Sequence, residues 1–403
     1  MKKYWKLLLF VVVIVFTFTH LYIQAANASK DYPKYVLKTI EGDTSAVESL
    51  VINGSYTNMY NHETLQIDQE GTEYWRDKPF FKQVDGQYRS IEWQTLQSKY
   101  KQFMRGKSTW QGNLANEEEY LAFADIPYSY YVPEVQTFEI SVLNKKTGET
   151  LSFEYPVPNV QNYLYMNVLH VHLVENQLFV LTENGGEDDR QEIHLYTFDL
   201  EKRLLTHDEQ IIILPRNENE MVFEQTAFVK NTGKGASTVA IAHQNFEQSF
   251  EDGAHDIIEQ TIYIYDFSNE SMKTVNVNEY GDDVGTLIAF KGENLYFAQQ
   301  PENGQRSIAK LDLKKEEFQL DFINFTTIQG EQNTDMLIQQ EEFKVHDGKL
   351  FSMPLYKETD EPAYLTVADL ESGKQIYQGE VVPIDEQDLK KGSRLQINDY
   401  GWK

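Results

Sequence analysis

The sequence predicts an all-β protein in which one antiparallel sheet unit is repeated along the chain. Residues 174–205 show a turn, a strand, a loop, a second strand closed by Asp and an apolar residue, and another turn. The same order recurs at 294–315 and 348–373, and a degraded copy ends at 265–267. Aromatic residues make up 13% of the chain, which supplies bulky side chains for strands and a core. Repeated hairpins of this kind indicate a repeat architecture.

The spacing of the hairpin corners predicts four-stranded units. Corner residues that end the second strand of a hairpin pattern are Asp68, Asn144, Asp199, Asp266, Asp312 and Asp369. Most intervals between them fit four strands with their loops, which is the length of a propeller blade. Six corners predict six blades, and the chain has room for a seventh. The alternative fold is a pair of tandem β-sandwich domains, in which strand spacing would look similar.

With these corners the chain resembles the β-propeller superfamily, most closely the secreted or membrane-tethered propellers of Bacillus-type bacteria. The resemblance covers roughly residues 32–400 and rests on the corner pattern, since the chain has no Gly-His and Trp-Asp pair and no kelch double glycine. It implies an architecture and no particular activity. We predict that residues 29–403 form a single propeller domain.

The N-terminus predicts export from the cytoplasm. Lys2, Lys3 and Lys6 precede an apolar run from Leu7 to Phe16 that continues less purely to Ile23. Residues 26–28, Ala-Asn-Ala, fit the small-x-small pattern of a signal peptidase site. Residues 1–28 are therefore either a cleaved signal peptide or a membrane anchor, and both place the body outside the cytoplasm, secreted or attached to the membrane.

One stretch predicts a helix within this strand-rich chain. Residues 90–105 carry apolar side chains at helical spacing, with Ser90 placed to cap the start and Gly106 to close the end. We interpret residues 84–133 as an insertion between sheets. Its basic residues are Lys99, Lys101, Arg105 and Lys107. The apolar stripe predicts packing against a sheet edge, while these cations are candidates for contact with an anionic membrane surface or an acidic partner.

Composition excludes several classes of function. The chain has 36 Lys and Arg against 63 Asp and Glu, a net charge of −27, which disfavours binding to nucleic acid. It has no cysteine, so disulfides, thiolate metal sites and cysteine nucleophiles are excluded. We expect a monomer.

Acidic residues predict a binding rim. If strands a to d run in order through each blade, a–b turns are short, whereas b–c and d–a loops share the other rim and are longer and acidic. The candidate ligand- or cation-binding residues there are Glu183, Glu187, Asp188, Asp189, Asp252, Asp256, Asp282 and Asp283. Such carboxylates suit Ca²⁺ or a basic partner. The alternative is that an acidic protein simply carries its acids in loops, because no D-x-D-x-D-G motif fixes a calcium geometry.

Two histidines are candidate metal ligands. His170 and His172 lie two residues apart on a predicted inner strand and therefore on one face of it. The sequence identifies no third ligand, so the alternative is a pair of packed strand histidines.

The leading hypothesis is a non-enzymatic binding or scaffold module that engages an envelope protein or small ligand through the acidic rim. The alternative is a propeller enzyme acting on a sugar or peptide, which needs two carboxylates close together with at least one perturbed pKa.

Overall fold

The computed structural model describes residues 5, 9–17, 19, 32–58, 62–78, 89–108, 111–127, 136–186, 190–214, 222–248, 255–281, 284–299, 307–325, 341–355, 362–385, 389 and 392–403. It divides into two compact units. The first unit comprises Met1–Lys99 with Gly330–Lys403, and the second comprises Tyr100–Gln329.

Strands dominate both units. The first unit contributes β1 (Tyr35–Gly42), β2 (Leu50–Thr57), β3 (His62–Asp68) and β4 (Gly71–Tyr74) from its N-terminal part. The second unit contains β5 (Leu114–Asn116), β6 (Tyr120–Asp125), β7 (Thr137–Asn144), β8 (Thr150–Pro156), β9 (Tyr163–Val174), β10 (Gln177–Gly186), β11 (Gln191–Asp199), β12 (Leu204–Ile213), β13 (Val222–Lys230), β14 (Thr238–Gln248), β15 (His255–Asp266), β16 (Ser271–Asn276), β17 (Thr286–Lys291), β18 (Asn294–Gln299), β19 (Ser307–Asp312) and β20 (Glu317–Asn324). The C-terminal part of the first unit adds β21 (Glu341–His346), β22 (Lys349–Pro354), β23 (Ala363–Asp369), β24 (Gln375–Pro383) and β25 (Arg394–Trp402).

These strands form six antiparallel sheets within the described residues. In strand order they are sheet I (β25-β2-β3-β4), sheet II (β5 to β8), sheet III (β9 to β12), sheet IV (β13 to β16), sheet V (β17 to β20) and sheet VI (β21 to β24, with β1 added beside β24). Sheets of four antiparallel strands are the blades of a β-propeller; in sheet I the first of the four strands comes from the C-terminal end of the chain. The predicted fold class is therefore confirmed, with six blades in the described residues.

Both ends of the chain enter the sheets of the first unit. β25 is the first strand of sheet I, where Leu50 of β2 pairs with Trp402. β1 pairs with β24 at the far edge of sheet VI, from Tyr35 opposite Pro383 to Gly42 opposite Tyr377. The N- and C-terminal segments thus stabilise one another by backbone hydrogen bonds.

All six predicted corners lie between the third and fourth strands of their sheets. At each one, a side-chain oxygen accepts a hydrogen bond from a backbone N–H two or three residues ahead. Asp266 is typical: its Oδ1 accepts from Ser268 N at 2.8 Å and from Ser237 Oγ at 3.0 Å. This Asx turn explains why the corner must be Asp or Asn.

Replacing Asp266 by Ala should lower the free energy of unfolding by about 1 kcal/mol, because those N–H and O–H donors lose their acceptor. Asp266→Asn should cost less, since Asn144 forms the same turn in sheet II. Burial raises the pKa of Asp266, but hydrogen bonds from Ser268 outweigh this effect and hold the pKa below its usual value. A lowered folded-state pKa gives stability above about pH 4 that is lost on acidification, and the Asn variant should lack this loss. Urea unfolding at several pH values measures both effects; equal costs for Ala and Asn would contradict the turn mechanism.

The predicted helix is present but interrupted. Residues 9–17 form helix α1, and the predicted stretch forms α2 (Ile91–Lys99) and α3 (Lys101–Met104), broken at Tyr100. Ser90 Oγ accepts a hydrogen bond from Trp93 N, and Gly106 has a φ of +78°. The start and end signals are therefore used as expected. Residues 114–125 of the predicted insertion 84–133 are not inserted, because they supply β5 and β6 of sheet II.

The core consists of apolar clusters between neighbouring sheets of the same unit. Sheets II and III share one such cluster, in which Phe198 is fully buried and its ring lies 5.2 Å from that of Phe138. Sheets III and IV share another, sheets IV and V a third, and sheets VI and I a fourth. Alternate residues of each strand face these clusters, so the two sides of each inner strand are both buried.

The predicted export segment is described only in part. Apolar side chains of α1, from Leu9 to Phe16, are exposed. Within the described residues, no helix has both the length and the apolar character needed to cross a membrane. The predicted cleavage site at 26–28 lies outside the described residues.

Candidate functional site

The two ends of each sheet differ in a way that locates the candidate site. We call the end where the second strand passes to the third the loop end, and the opposite end, with the short first-to-second turns, the turn end. Buried polar side chains towards the loop ends are Ser55 and Thr64 in sheet I, Asn113 and Gln136 in sheet II, Thr182, Asn184, Glu192 and His194 in sheet III, His243, Gln244, Asn245 and Gln260 in sheet IV, Ser307 in sheet V, and Ser352, Thr366 and Gln378 in sheet VI. Burying polar groups costs free energy unless they are partnered, so their concentration here needs a cause.

Sheet III carries a buried ionisable cluster at its loop end. His194 Nε2 lies 2.8 Å from Glu192 Oε2 and 3.2 Å from the Tyr163 hydroxyl. His194 Nδ1 lies 3.5 Å from Asp208 Oδ1, and Arg190 Nε pairs with Glu192 Oε1 at 2.8 Å. Glu192 and His194 are both less than a tenth exposed. Contacts to both ring nitrogens fix the orientation of the imidazole.

Sequence reasoning did not identify Glu192. The available signal was a Glu and a His two residues apart on β11, where the surrounding residues of that strand are apolar. Directly opposite partners on β10, Asn184 and Thr182, are also buried and polar. Thr182 donates to Asn184 Oδ1 at 2.8 Å, so this part of the cluster is partnered internally.

Only one of the predicted acidic rim residues has a described side chain. Glu183 lies on β10 between Ile193 and Asn167 of the neighbouring strands. Burial raises the pKa of Glu183, and a hydrogen bond with Asn167 opposes part of that rise. The backbone of Asp256 lies in β15. The predicted rim residues that lie outside the described residues are Glu187, Asp188, Asp189, Asp252, Asp282 and Asp283. In the part of the chain that is described, no group of three or more His, Asp or Glu side chains is arranged to hold a metal ion. The Ca²⁺ site stays a prediction.

A small pocket lies at the loop end of sheet IV. Its lining includes Gln260, Asn278 and Gly285 together with Ile257, Val277 and Val284. Asn278 Oδ1 accepts a hydrogen bond from Gln260 N at 2.8 Å, and Asn278 Nδ2 donates to Ile258 O at 3.2 Å, so this side chain holds the pocket wall against β15. The pocket adjoins in sequence the predicted acids Asp256, Asp282 and Asp283.

The histidine pair is packed in aromatic surroundings at the turn end. His170 and His172 stack with ring centroids 6.0 Å apart, and their rings lie 5.0 Å from Phe228 and 4.8 Å from Phe267, respectively. Burial lowers the pKa of both imidazoles, that of His170 well below its ordinary value. Both are therefore neutral, and the described residues bring no set of three ligands to them. This environment fits packed strand histidines.

The basic residues near the helices do not form one surface. Lys99, Lys101 and Arg105 are exposed, whereas Lys107 is half-buried. Lys107 Nζ lies 4.4 Å from the Phe103 ring centroid and 3.3 Å from Ser141 Oγ, and burial lowers its pKa. Lys107 thus stabilises the packing of α3 on sheet II, and contact of the basic residues with a partner or membrane surface stays a prediction.

The first unit contains the pair of carboxylates that best fits the enzyme hypothesis. Lys344 Nζ bridges Asp399 Oδ1 at 2.5 Å and Glu342 Oε1 at 3.3 Å. Burial raises the pKa of Glu342, and the charge of Asp399 adds to that rise. Asp399 Oδ2 also accepts a hydrogen bond from Ile91 N at 3.2 Å. Lys344 and Ile91 N contact three of the four carboxylate oxygens, and Glu342 Oε2 is buried without a hydrogen-bond partner.

Comparisons with known proteins find only solved structures of low sequence identity. No protein-family model matches the chain, and no curated protein matches it. The β-propeller domain of the Trilobed protease from Pyrococcus furiosus is similar at 11% identity and a TM-score of 0.32, covering 87% of this chain and 85% of that one. Cobalt-substituted Synechocystis ACO is similar at 8% identity and a TM-score of 0.42, covering 93% and 97%. Oligopeptidase B from Leishmania major is similar at 9% identity and a TM-score of 0.32, covering 89% and 50%.

These similarities carry no argument about activity. The architecture follows from the sheets themselves, which agree with the predicted resemblance to β-propellers. The narrower resemblance to Bacillus-type propellers stays a prediction.

Proposed function

We propose that this protein is an extracytoplasmic binding module that engages an envelope protein or a ligand through the loop ends of its sheets. The basic and apolar residues at positions 1–28 support export or anchoring, with the body outside the cytoplasm. A net charge of −27 favours a partner with a basic surface and disfavours a nucleic acid.

The observation that carries this proposal is that more buried polar residues lie at loop ends than at turn ends, where the described ones are His170, His172, Thr197 and Asn231. Turn ends are closed by short turns whose corner side chains bind their own backbone, so those groups are already used. Loop ends instead have long connections and buried polar side chains such as Glu192, His194, Gln244 and Gln260. Binding surfaces commonly lie on loops held by a rigid sheet scaffold.

Photo-crosslinking in intact cells tests the proposal. A photoreactive residue at Gln225 or Ile258, both exposed at the loop end of sheet IV, should crosslink one discrete envelope partner. The same residue at Glu201 or Lys314, exposed at the turn ends of sheets III and V, should not. Protease added outside the cytoplasmic membrane should digest the crosslinked product. Equal crosslinking at both ends, or a product protected from protease, would contradict the proposal.

The enzyme alternative has less support. In its best candidate pair, Glu342 and Asp399, Lys344 bridges the two carboxylates, and the oxygen that has no hydrogen-bond partner, Glu342 Oε2, is buried away from solvent.

A further inference from the structure

A row of glutamine side chains crosses sheet IV at its loop end. Gln225 of β13 lies opposite Gln244 of β14, which lies opposite Gln260 of β15. Opposite residues of antiparallel strands share one side of the sheet. Two positions back along each strand, Ala242 and Ile262 belong to the apolar cluster shared with sheet V. The carboxamides therefore continue the side of sheet IV that faces sheet V.

Two of these carboxamides are buried without hydrogen-bond partners. Gln244 is 0% exposed and Gln260 is 2% exposed. The atoms without a partner are Nε2 and Oε1 of Gln244 and Nε2 of Gln260. Each such group costs about 1–3 kcal/mol, so an apolar residue would be more stable at either position if packing alone mattered. A bound group that hydrogen-bonds these atoms would remove this cost.

The small pocket at the loop end of sheet IV reaches one member of this row. Gln260 lines it, together with Asn278 and Gly285, and Gly281 at its edge is exposed. Gly285 has a φ of +85°, and a Cβ there would lie 2.1 Å from Ala298 O. Only glycine allows this close approach of β17 to β18, so the pocket wall is fixed by backbone.

Hydrogen-bonding capacity defines the ligand class. Two NH₂ groups and one carbonyl oxygen offer more donors than acceptors. One hydroxyl group, with two lone pairs and one O–H, can accept from both amides and donate to Gln244 Oε1. An anion would be repelled by the acidic chain, and the neutral site offers no carboxylate to a cation.

We propose that Gln244 and Gln260 form a subsite for a hydroxyl group of a neutral sugar or polyol. The subsite lies in the second unit, between the strand ends of sheet IV and the first strand of sheet V. The inference deepens the proposed function, on which it rests for the role of the loop end as a binding surface. A sugar bound through one hydroxyl would leave its other hydroxyls at the loop end.

Titration of the full-length protein with D-glucose and N-acetyl-D-glucosamine tests the subsite, with D-glucuronate as the charged comparison. We expect at least one neutral sugar to raise the Tm in a saturable manner, and glucuronate to have no effect. In Gln244→Met and Gln260→Met, the Tm without sugar should be unchanged or higher, and the sugar affinity should fall by about tenfold or more. Sugars also raise the Tm of proteins non-specifically through the solvent. That effect is the same in all variants and does not saturate, so it can be distinguished from binding.

Gln378→Met is the matched control. Gln378 is also buried, with an Nε2 atom that lacks a partner, but it lies in sheet VI of the first unit. This variant should keep the sugar-dependent rise in Tm.

If Gln244→Met and Gln260→Met do not fold, the side-chain amide NMR signals of Gln244 and Gln260 in the wild-type protein must move on titration with sugar.

Two results overturn the subsite. One is a wild-type protein whose Tm and amide signals ignore every neutral sugar, and the other is a shift that persists in Gln244→Met and Gln260→Met. Envelope crosslinking at Gln225 and Ile258 is scored separately, so failure of the subsite and failure of the proposed function give different results.

Discussion

Replacing Gly285 by Ala lowers the free energy of unfolding by about 3 kcal/mol or more, because two costs add at this position. Its φ of +85° is strained for any residue with a Cβ, and that Cβ would lie 2.1 Å from Ala298 O and 2.7 Å from Ala298 C. These are backbone atoms of β18, and neighbouring Thr286 is paired with Ala298, so the contact cannot be relieved by rotating a side chain. Urea unfolding of the full-length protein measures the loss.

Gly292→Ala provides the control within the same sheet. Gly292 has a φ of +60°, and a Cβ there would have no atom within 4 Å, so only the backbone cost of about 1 kcal/mol applies. Equal losses for the two variants would mean that β17 moves away from β18 freely. In that case the pocket wall beside Gln260 is not rigid.

The fold was predictable because its signals are local. Each corner depends on one Asp or Asn bonding to backbone two or three residues ahead, as Asp266 does with Ser268, so the requirement appears directly in the sequence. Turn length likewise distinguishes the two ends of a sheet. The break at Tyr100 was not predictable, because apolar spacing continues through it to Phe103 and Met104.

The sequence did not predict which strands pair across long distances in the chain. β25 joins β2 across most of the chain, and β1 joins β24. No turn links either pair, and hairpin reasoning therefore cannot find them. The same limit explains why the predicted insertion 84–133 included part of sheet II. Its strand β5 is only three residues long, so it shows too little periodicity to be recognised as a strand.

The candidate site depends on register and burial, which composition does not contain. Gln244 and Gln260 meet only because β14 and β15 pair in one register, with an irregularity just beyond them between Asn245 and Phe246. Counting acids led to a prediction about the loops and did not identify the buried Glu192 and His194. Counting cations grouped Lys107 with Lys101 and Arg105, although its ammonium group packs on Phe103.

Replacing Lys344 by Met should lower the free energy of unfolding by about 2–3 kcal/mol at pH 7, since breaking a buried ion pair leaves an uncompensated charge. Here Glu342 and Asp399 would both be left facing the apolar side chain. The side chains of Lys344 and Asp399 are about a fifth exposed, at 19% and 20%, so solvent reduces the loss below that of a fully buried pair. Lys38→Met removes the pair with Glu380 from a side chain that is 64% exposed, and should have no measurable effect.

The loss caused by Lys344→Met should depend on pH in a defined direction. Burial, followed by the charge of Asp399, raises the pKa of Glu342, whereas Lys344 lowers it. Without the lysine, the folded-state pKa rises further above the unfolded value. The folded state then binds more protons, so stability falls as pH rises from about 4.5 through the folded pKa. The deficit relative to wild type should therefore shrink between pH 7 and pH 5, and Lys344→Met with Glu342→Gln should recover most of it at pH 7. A deficit that is constant over this range, or that the second substitution leaves unchanged, would mean that Lys344 acts through packing on the Tyr400 ring, 4.9 Å from its Nζ, and not through charge.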